Sequence, residues 1–239
     1  MPNTTNPIAI IGAMPQEVAI LTNQLTNAKT AEVAEVKIHS GEINGTPVVV
    51  LQSGIGKVNA TIATALVIER FAPKAVINTG SAGGIGNGSG KGLAVGDIVV
   101  GTAVAHHDVD VTAFGYKHGQ MAGMPEQYEC DANLVSVMQK ASKAFADAAI
   151  HQGQIVSGDQ FIASSEQFET IKTHFANAQA VEMEAAAIAQ TCYRFGVPFV
   201  VVRAISDLAN EQASVSFDEF IEQAGKDSAQ MVISALSSL

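Results

Sequence analysis

The chain alternates short apolar runs rich in Val and Ile with stretches whose apolar residues recur at helical spacing, and this pattern restricts its fold more than any other feature. Runs of that length bounded by Gly, Pro and Asn read as strands, and strands alternating with helices specify an α/β sheet with covering helices rather than a sandwich or a bundle. The spacing predicts strands at Ile8 to Ala13, Val36 to Glu42, Pro47 to Ser53, Ala75 to Gly80, Asp97 to Ala105, His151 to Val156, Ala180 to Met183 and Phe199 to Ala204. Helices are expected at Gln16 to Leu25, Val58 to Phe71, Ala132 to Phe145, Ser165 to His174, Glu184 to Phe195 and Phe217 to Leu239. Asn44-Gly45 is a strong hairpin signal, so the strands on either side should be antiparallel and the sheet mixed. With 239 residues and no linker or repeat, the chain reads as one domain with a central mixed, twisted sheet flanked by helices, its first six residues disordered.

Charge narrows the partners. A net charge of −10, with Lys and Arg scattered, argues against nucleic acid or an anionic membrane and favours a small ligand. Cys130 and Cys192 support neither a disulfide framework nor a zinc site, which fits a reducing compartment. The N-terminus carries no basic side chain, and the short apolar stretch behind it reads as a first strand, so a cytoplasmic protein is expected. No apolar run approaches the ~20 residues that a membrane helix needs.

Ligands of open α/β sheets bind beyond the carboxyl ends of strands, which directs attention to five short segments. Glu182-Met183-Glu184 places two carboxylates between Ala180-Val181 and the alanines 185 to 187, where an unpaired charge costs several kcal/mol, roughly 2–7 even for a neutral polar group. A ligand rich in hydroxyls would satisfy them. Asp207 closes a buried strand; it is either a general acid with a raised pKa, a cap for the next turn, or a partner for Arg203. Glu17 follows Met14 at the first strand's end and either activates a water or sits in the first helical turn as an acid favoured by the dipole. Ser53 to Lys57 joins a strand to a helix, so its amides face a ligand or its glycines serve a tight turn. Asn78 to Gly84 concentrates Ser81, Ala82, Gly83 and other small residues in one turn, suited to a flat ligand or to close chain packing.

Two motifs mislead. The tract Gly83 to Gly92 lacks the Ser or Thr that a phosphate loop needs after Lys91, and reads as a flexible loop. His106 and His107 are neighbours in an extended run, so they point apart and do not share an ion. Arginine is scarce: Arg70 and Arg194 lie inside predicted helices and Arg203 inside a strand. Phosphate recognition favours several arginine forks, so displacement by water is favoured over displacement by phosphate.

At these residues the chain resembles the bacterial 5′-methylthioadenosine/S-adenosylhomocysteine nucleosidases of the purine nucleoside phosphorylase superfamily. The resemblance runs nearly end to end, through IIGAM with Glu17, SGIGKV at Ser53 to Val58, NTGSAGG, DVTAFGY at Asp110 to Tyr116, VSGDQFI at Val156 to Ile162, VEMEA, and VPFVVVRAISD followed by SFDEF at Ser216 to Phe220. It implies a nucleoside phosphorylase-like fold and hydrolysis of the bond between adenine and ribose in 5′-thio-substituted adenosines and 5′-deoxyadenosine, serving methionine salvage. It further implies a homodimer with no metal or cofactor. Asp207, supported by Ser206, matches the acid that protonates nitrogen 7 of the purine, and Glu17 the base that orients water. Glu184 matches the acid on the ribose hydroxyls, assisted by Met183, with Glu182 a further contact near water and ribose. Phe161 resembles the ring stacked on adenine, the backbone of Ile162 the contact to its edge, and Ser81, Ala82 and Gly83 the ligand-lining segment. Met14, Ile55 and Phe217 match the thioalkyl pocket; Val111 and Phe114 match residues reaching in from the neighbouring subunit. The chain departs from the pattern in a Gly- and Ser-rich loop at 83–96 and in Ala122, where proline is common. A nucleoside phosphorylase and a non-catalytic nucleoside-binding protein are the alternatives; Glu17 and the scarcity of arginine disfavour the first, and two separate strand-end acids the second.

Overall fold

The strand Phe199–Asp207 is buried at all nine residues, a state reached only by a strand covered on both faces and paired on both edges. The computed structural model describes residues 6–86, 92–141, 148–210 and 212–239. Among them the strands are β1 (Ile8–Gly12), β2 (Thr26–Val33), β3 (Val36–Ile43), β4 (Thr46–Gln52), β5 (Ala75–Gly84), β6 (Ile98–His106), β7 (Tyr128–Glu129), β8 (Ile150–Ser157), β9 (Ala178–Glu182) and β10 (Phe199–Asp207). The helices are α1 (Pro15–Asn23), α2 (Lys57–Phe71), α3 (Ala132–Ala141), α4 (Ser165–His174), α5 (Ala185–Phe195) and α6 (Ala213–Leu236).

All ten strands join one mixed sheet in the order β10-β6-β8-β9-β5-β1-β4-β3-β2, with β7 on β6. Because β10 also pairs with β5, the segment β5-β9-β8-β6-β10 closes on itself. Period-two alternation sorts the core. Phe199, Val201 and Ile205 of β10 pack with Ala63 and Val67 of α2 and Ile188 of α5, whereas Val200, Val202 and Ala204 pack with Leu21 of α1, Met138 of α3 and Val232 of α6. Each fully buried Val or Ile contributes about 1.5–3 kcal/mol relative to exposure. Arg203 stands within this apolar strand at 2% exposure, so its charge must be matched locally.

Strand direction sets where the site lies. β1, β4, β5 and β10 run parallel, while β9 meets β5 antiparallel through Gly83 opposite Val181 and Gly84 opposite Ala180. These pairs involve the last residues of both strands, so two oppositely directed groups bring their carboxyl ends to one place.

Most expected elements form, with boundaries moved by identifiable causes. Asn44 and Gly45 adopt φ of 51° and 76°, and β3 and β4 pair antiparallel around them as expected. The expected turn at Asn78 to Gly84 is instead the last part of β5, because its small residues serve close packing along a strand. Likewise β10 continues to Asp207, α6 begins at Ala213 rather than Phe217, and Glu184 caps α5 instead of opening it. The polar edge strand β2 and the two-residue β7 have no counterpart among the expected elements. The expected end of the third helix at Phe145, the central part of the glycine tract at 87–91 and the N-terminal residues 1–5 lie outside the described residues. No described helix is long and apolar enough to cross a membrane.

Candidate active site

The converging strand ends surround a cavity of about 260 Å³. Met14, Glu17, Ile55, Ser81, Ala82, Gly83, Phe161, Ile162, Glu182, Met183, Glu184, Ser206, Asp207 and Phe217 all line it, joined by Ala13, Gln160 and Val181. Val111 and Phe114 do not: Val111 caps and Phe114 ends a short helical turn at Thr112–Phe114, and Phe114 is 81% exposed.

Glu17 is positioned by its own helix. Pro15 at the first position pre-sets the backbone of α1, and Glu17 reaches back so that Oε2 accepts the N–H groups of Ala13 at 2.7 Å and Met14 at 3.0 Å. Its Oε1 turns to β5 and accepts Ser81 N–H at 2.9 Å and Ser81 Oγ–H at 3.1 Å. Glu17 is thus both the first-turn acid and a 3% exposed cavity wall. Gly80 makes this possible, since a Cβ there would lie 2.7 Å from Glu17 Cδ and 2.9 Å from Arg203 Nη1.

Arg203 answers the second carboxylate. Its guanidinium donates to Glu182 Oε2 and, at 2.6 Å, to Asn78 Oδ1. Glu182 also receives Ser157 Oγ–H, Glu184 N–H at 3.1 Å and Ala185 N–H at 2.9 Å, placing its charge on the positive end of α5. Burial opposes the Arg203 charge, but Glu182, Glu17 and Glu184 outweigh it and hold the guanidinium above its ordinary pKa. The alternative in which Arg203 pairs with Asp207 is therefore not adopted.

Among the described residues, neither Glu184 nor Asp207 has a paired cation. Burial first, and then the neighbouring Glu182 charge, pushes the Glu184 pKa up to about 8 against the pull of Arg203 and of the Gly56 N–H, which donates to Oε1 at 2.8 Å. Burial also raises Asp207, although Ala209 N–H at 2.9 Å and Ser206 Oγ–H at 3.0 Å favour its charged form. Gly83 leaves room for this carboxyl, as a Cβ would lie 2.9 Å from Asp207 Oδ1. A carboxyl with a raised pKa holds its proton to higher pH, and one that faces a cavity is placed to donate it.

The rings of Phe161 and Phe217 meet edge to face with centroids 5.6 Å apart, giving the cavity an aromatic wall suited to a flat heterocycle. The amides of the SGIGK turn are used by the protein's own carboxylates, Gly56 N–H by Glu184 and Lys57 N–H by Asp159 at 2.8 Å. His106 and His107 diverge as their spacing required: the former meets Gln190 at 2.9 Å, and the latter packs on Gly158. Sequence reasoning met Asn78 and Gly80 inside NTGSAGG and Ser157 inside VSGDQFI, and gave none of the three a role of its own. For Arg203 the signal was present, because a guanidinium amid Val and Ile demands a buried partner.

Residues 7–237 match the family model of the phosphorylase superfamily. The chain is 54% identical over 232 residues to a 5′-methylthioadenosine/S-adenosylhomocysteine nucleosidase of Exiguobacterium sp., covering 97% of this chain and 98% of that one. It is 47% identical over 229 residues to the enzyme of the same name from Bacillus subtilis, covering 96% and 97%. Among solved structures, the Neisseria meningitidis nucleosidase in complex with methylthio-immucillin-A superposes with a TM-score of 0.95 at 50% identity, covering 98% of this chain and all of that one. Fold, cavity and sequence agree: the chain belongs to the phosphorylase superfamily and, within it, to the 5′-methylthioadenosine/S-adenosylhomocysteine nucleosidases.

Proposed function

We infer that this protein hydrolyses the N-ribosidic bond of 5′-methylthioadenosine and S-adenosylhomocysteine, releasing adenine and the matching 5′-thioribose. 5′-Deoxyadenosine presents the same base and ribose and is a further substrate. The observation that carries the reading is a raised, buried Asp207 in the same cavity as Glu17, while the guanidinium behind them is committed to Glu182 and Asn78.

Adenine leaves poorly as an anion. Asp207, steadied by Ser206, protonates nitrogen 7 as the bond breaks, a contribution of ~10²–10⁴-fold. The ribose then gains oxocarbenium character; that positive charge favours the ionised form of Glu184, which accepts from the ribose hydroxyls and, assisted by Met183, stabilises it. Glu17 orients the attacking water, for which the Ser81 hydroxyl on Oε1 must swing aside. Glu182 serves chiefly as counter-charge to Arg203, since both of its oxygens are engaged within the protein. Phe161 stacks on the base and the Ile162 backbone reads its edge, while Met14, Ile55 and Phe217 take the 5′-thio substituent. A phosphate would instead meet Glu17 and Glu182, and neither Arg70 nor Arg194 lines the cavity.

The enzyme acts as a homodimer in the cytoplasm, in methionine salvage, with Val111 and Phe114 completing the site of the neighbouring subunit. The exposed apolar side chains on the α2 and α5 side support this arrangement. Asp207→Asn and Glu17→Gln test the chemistry. Adenine release measured by absorbance is expected to fall at least ~10²-fold in each, with the fold retained. Full activity in Asp207→Asn would refute the general-acid role.

A further inference from the structure

Three segments around the cavity are tied together by side chains that do not line it. Lys57, the first residue of α2, directs Nζ to both oxygens of Asp108, at 2.6 and 2.7 Å. Asp108 lies just beyond β6, and its Oδ2 also accepts the backbone N–H of Asp159 at 2.9 Å. Asp159 closes the ring, its Oδ1 accepting the backbone N–H of Lys57 at 2.8 Å. The ring has a built fit at Gly56, whose φ is +94° and where a Cβ would stand 3.0 Å from Asp159 Oδ1.

Both ends of the ring lead to the site. On one side Gly56, adjacent to Lys57, holds Glu184 through its N–H at 2.8 Å. On the other, Asp159 precedes Phe161 by two residues. The intervening segment has no regular secondary structure; Gly158 N–H is held on Glu182 O at 3.1 Å, Asp159 N–H on Asp108, and Ala163 N–H on Gln167 Oε1 at 3.1 Å. The ion pair itself is partly shielded, at 20% and 15% side-chain exposure, and its two-oxygen geometry makes it stronger than a typical surface pair. Burial alone would raise the Asp108 pKa, but hydrogen bonds from Lys57 and Asp159 reverse the shift and hold it below the ordinary carboxylate range.

We propose that the Lys57–Asp108–Asp159 ring is a positioning device, fixing the aromatic ring of Phe161 relative to the Glu184 carboxylate and so matching the cavity to the span from purine to ribose. The proposal rests on the assignment of Phe161 to the base and Glu184 to the ribose. None of the three residues touches substrate. They act through the two segments they join, and a misplacement of about 1 Å at such a distance from the chemistry can cost ~10²-fold.

The test compares wild type, Asp159→Ala, Asp159→Asn, Phe161→Ala and the double variant Asp159→Ala/Phe161→Ala. The readouts are kcat and KM for methylthioadenosine, Ki for adenine and thermal unfolding. Asp159→Ala is expected to raise KM and the adenine Ki together by ~10- to 100-fold, with a smaller change in kcat. Asp159→Asn, which keeps an oxygen for Lys57 N–H, should restore most of the loss. In the double variant the loss of Asp159 should add little once the Phe161 ring is gone. If Asp159→Ala does not fold, Lys57→Met replaces it, since it removes the ammonium and keeps the backbone N–H; the same rise in Ki is expected. An adenine Ki unchanged in a folded Asp159→Ala, while Phe161→Ala raises it, overturns the positioning role alone. A rise that Asn fails to rescue and that adds fully to Phe161→Ala also overturns it, marking general disruption. An unchanged Ki in Phe161→Ala overturns the base-stacking assignment and the proposal with it.

Discussion

At the scale of single residues, the cavity holds carboxyls with unlike tasks because their neighbours differ. Glu182 has Arg203 and the start of α5, whereas Glu184 has burial and a like charge beside it, which bring its pKa to about 8. A carboxyl whose folded pKa exceeds its unfolded value takes up a proton on folding between the two values, so its contribution to stability is complete below the lower and lost as pH rises through the higher. For Glu184 that window runs from 4.5 to about 8, and the raised Asp207 acts with the same sign. The melting temperature of the ligand-free protein should therefore fall between pH 6.5 and about 8, above the range in which the buried His106 and His107, whose pKa values burial lowers, act with the opposite sign, and Glu184→Gln should flatten the decline. A wild-type profile that rises over this upper range, or one that the substitution leaves unchanged there, contradicts the assignment. The acids themselves were legible, since strand-end positions and apolar flanks expose Asp207, Glu182 and Glu184. How they pair was not, because the matching of Glu182 with Arg203 spans 21 positions and two strands.

Elements differ in how much of their own physics they carry. The Asn44-Gly45 hairpin is written locally, since both residues tolerate the left-handed conformation. The preceding hairpin between β2 and β3 turns on Ala34 and Glu35, which adopt φ of 50° and 63° without the usual residues. That turn and the exposed, polar β2 give no periodicity or turn signal to read, so the strand escapes notice until the edge of the sheet is seen to hold it. Left-handed conformation costs a residue with a Cβ roughly 1–2 kcal/mol. Ala34→Asn with Glu35→Gly should consequently stabilise the protein by about 1 kcal/mol and raise the melting temperature by ~2–4 °C, measured by calorimetry, with kcat unchanged. The glycines of NTGSAGG erred in the opposite direction. Small residues signal either a turn or close approach, and here Gly80 and Gly83 make room for Glu17, Arg203 and Asp207 along a continuing strand.

For the whole molecule, the mixed α/β sheet was legible from alternation, but the pairing of β10 with both β6 and β5 was not, since it depends on accumulated twist over distant strands. That closure brings the carboxyl ends together. The surface bears on assembly: Val58 is 70% exposed on α2, with Ile62, Tyr193, Phe195 and the outlying Phe114 also exposed. For the proposed homodimer, Ile62→Glu is expected to convert dimer to monomer in sedimentation equilibrium and to lower kcat/KM, because each site would lose what the neighbouring subunit is proposed to supply; a wild-type monomer of full activity would exclude that dimer. Hydrolysis and phosphorolysis differ in the fate of the sugar. Methylthioadenosine turnover is followed with and without millimolar phosphate, by adenine absorbance and by phosphorus NMR of the products. Equal rates of adenine release and free methylthioribose are expected in both cases. Turnover that requires phosphate and yields methylthioribose 1-phosphate in proportion to adenine would contradict hydrolysis.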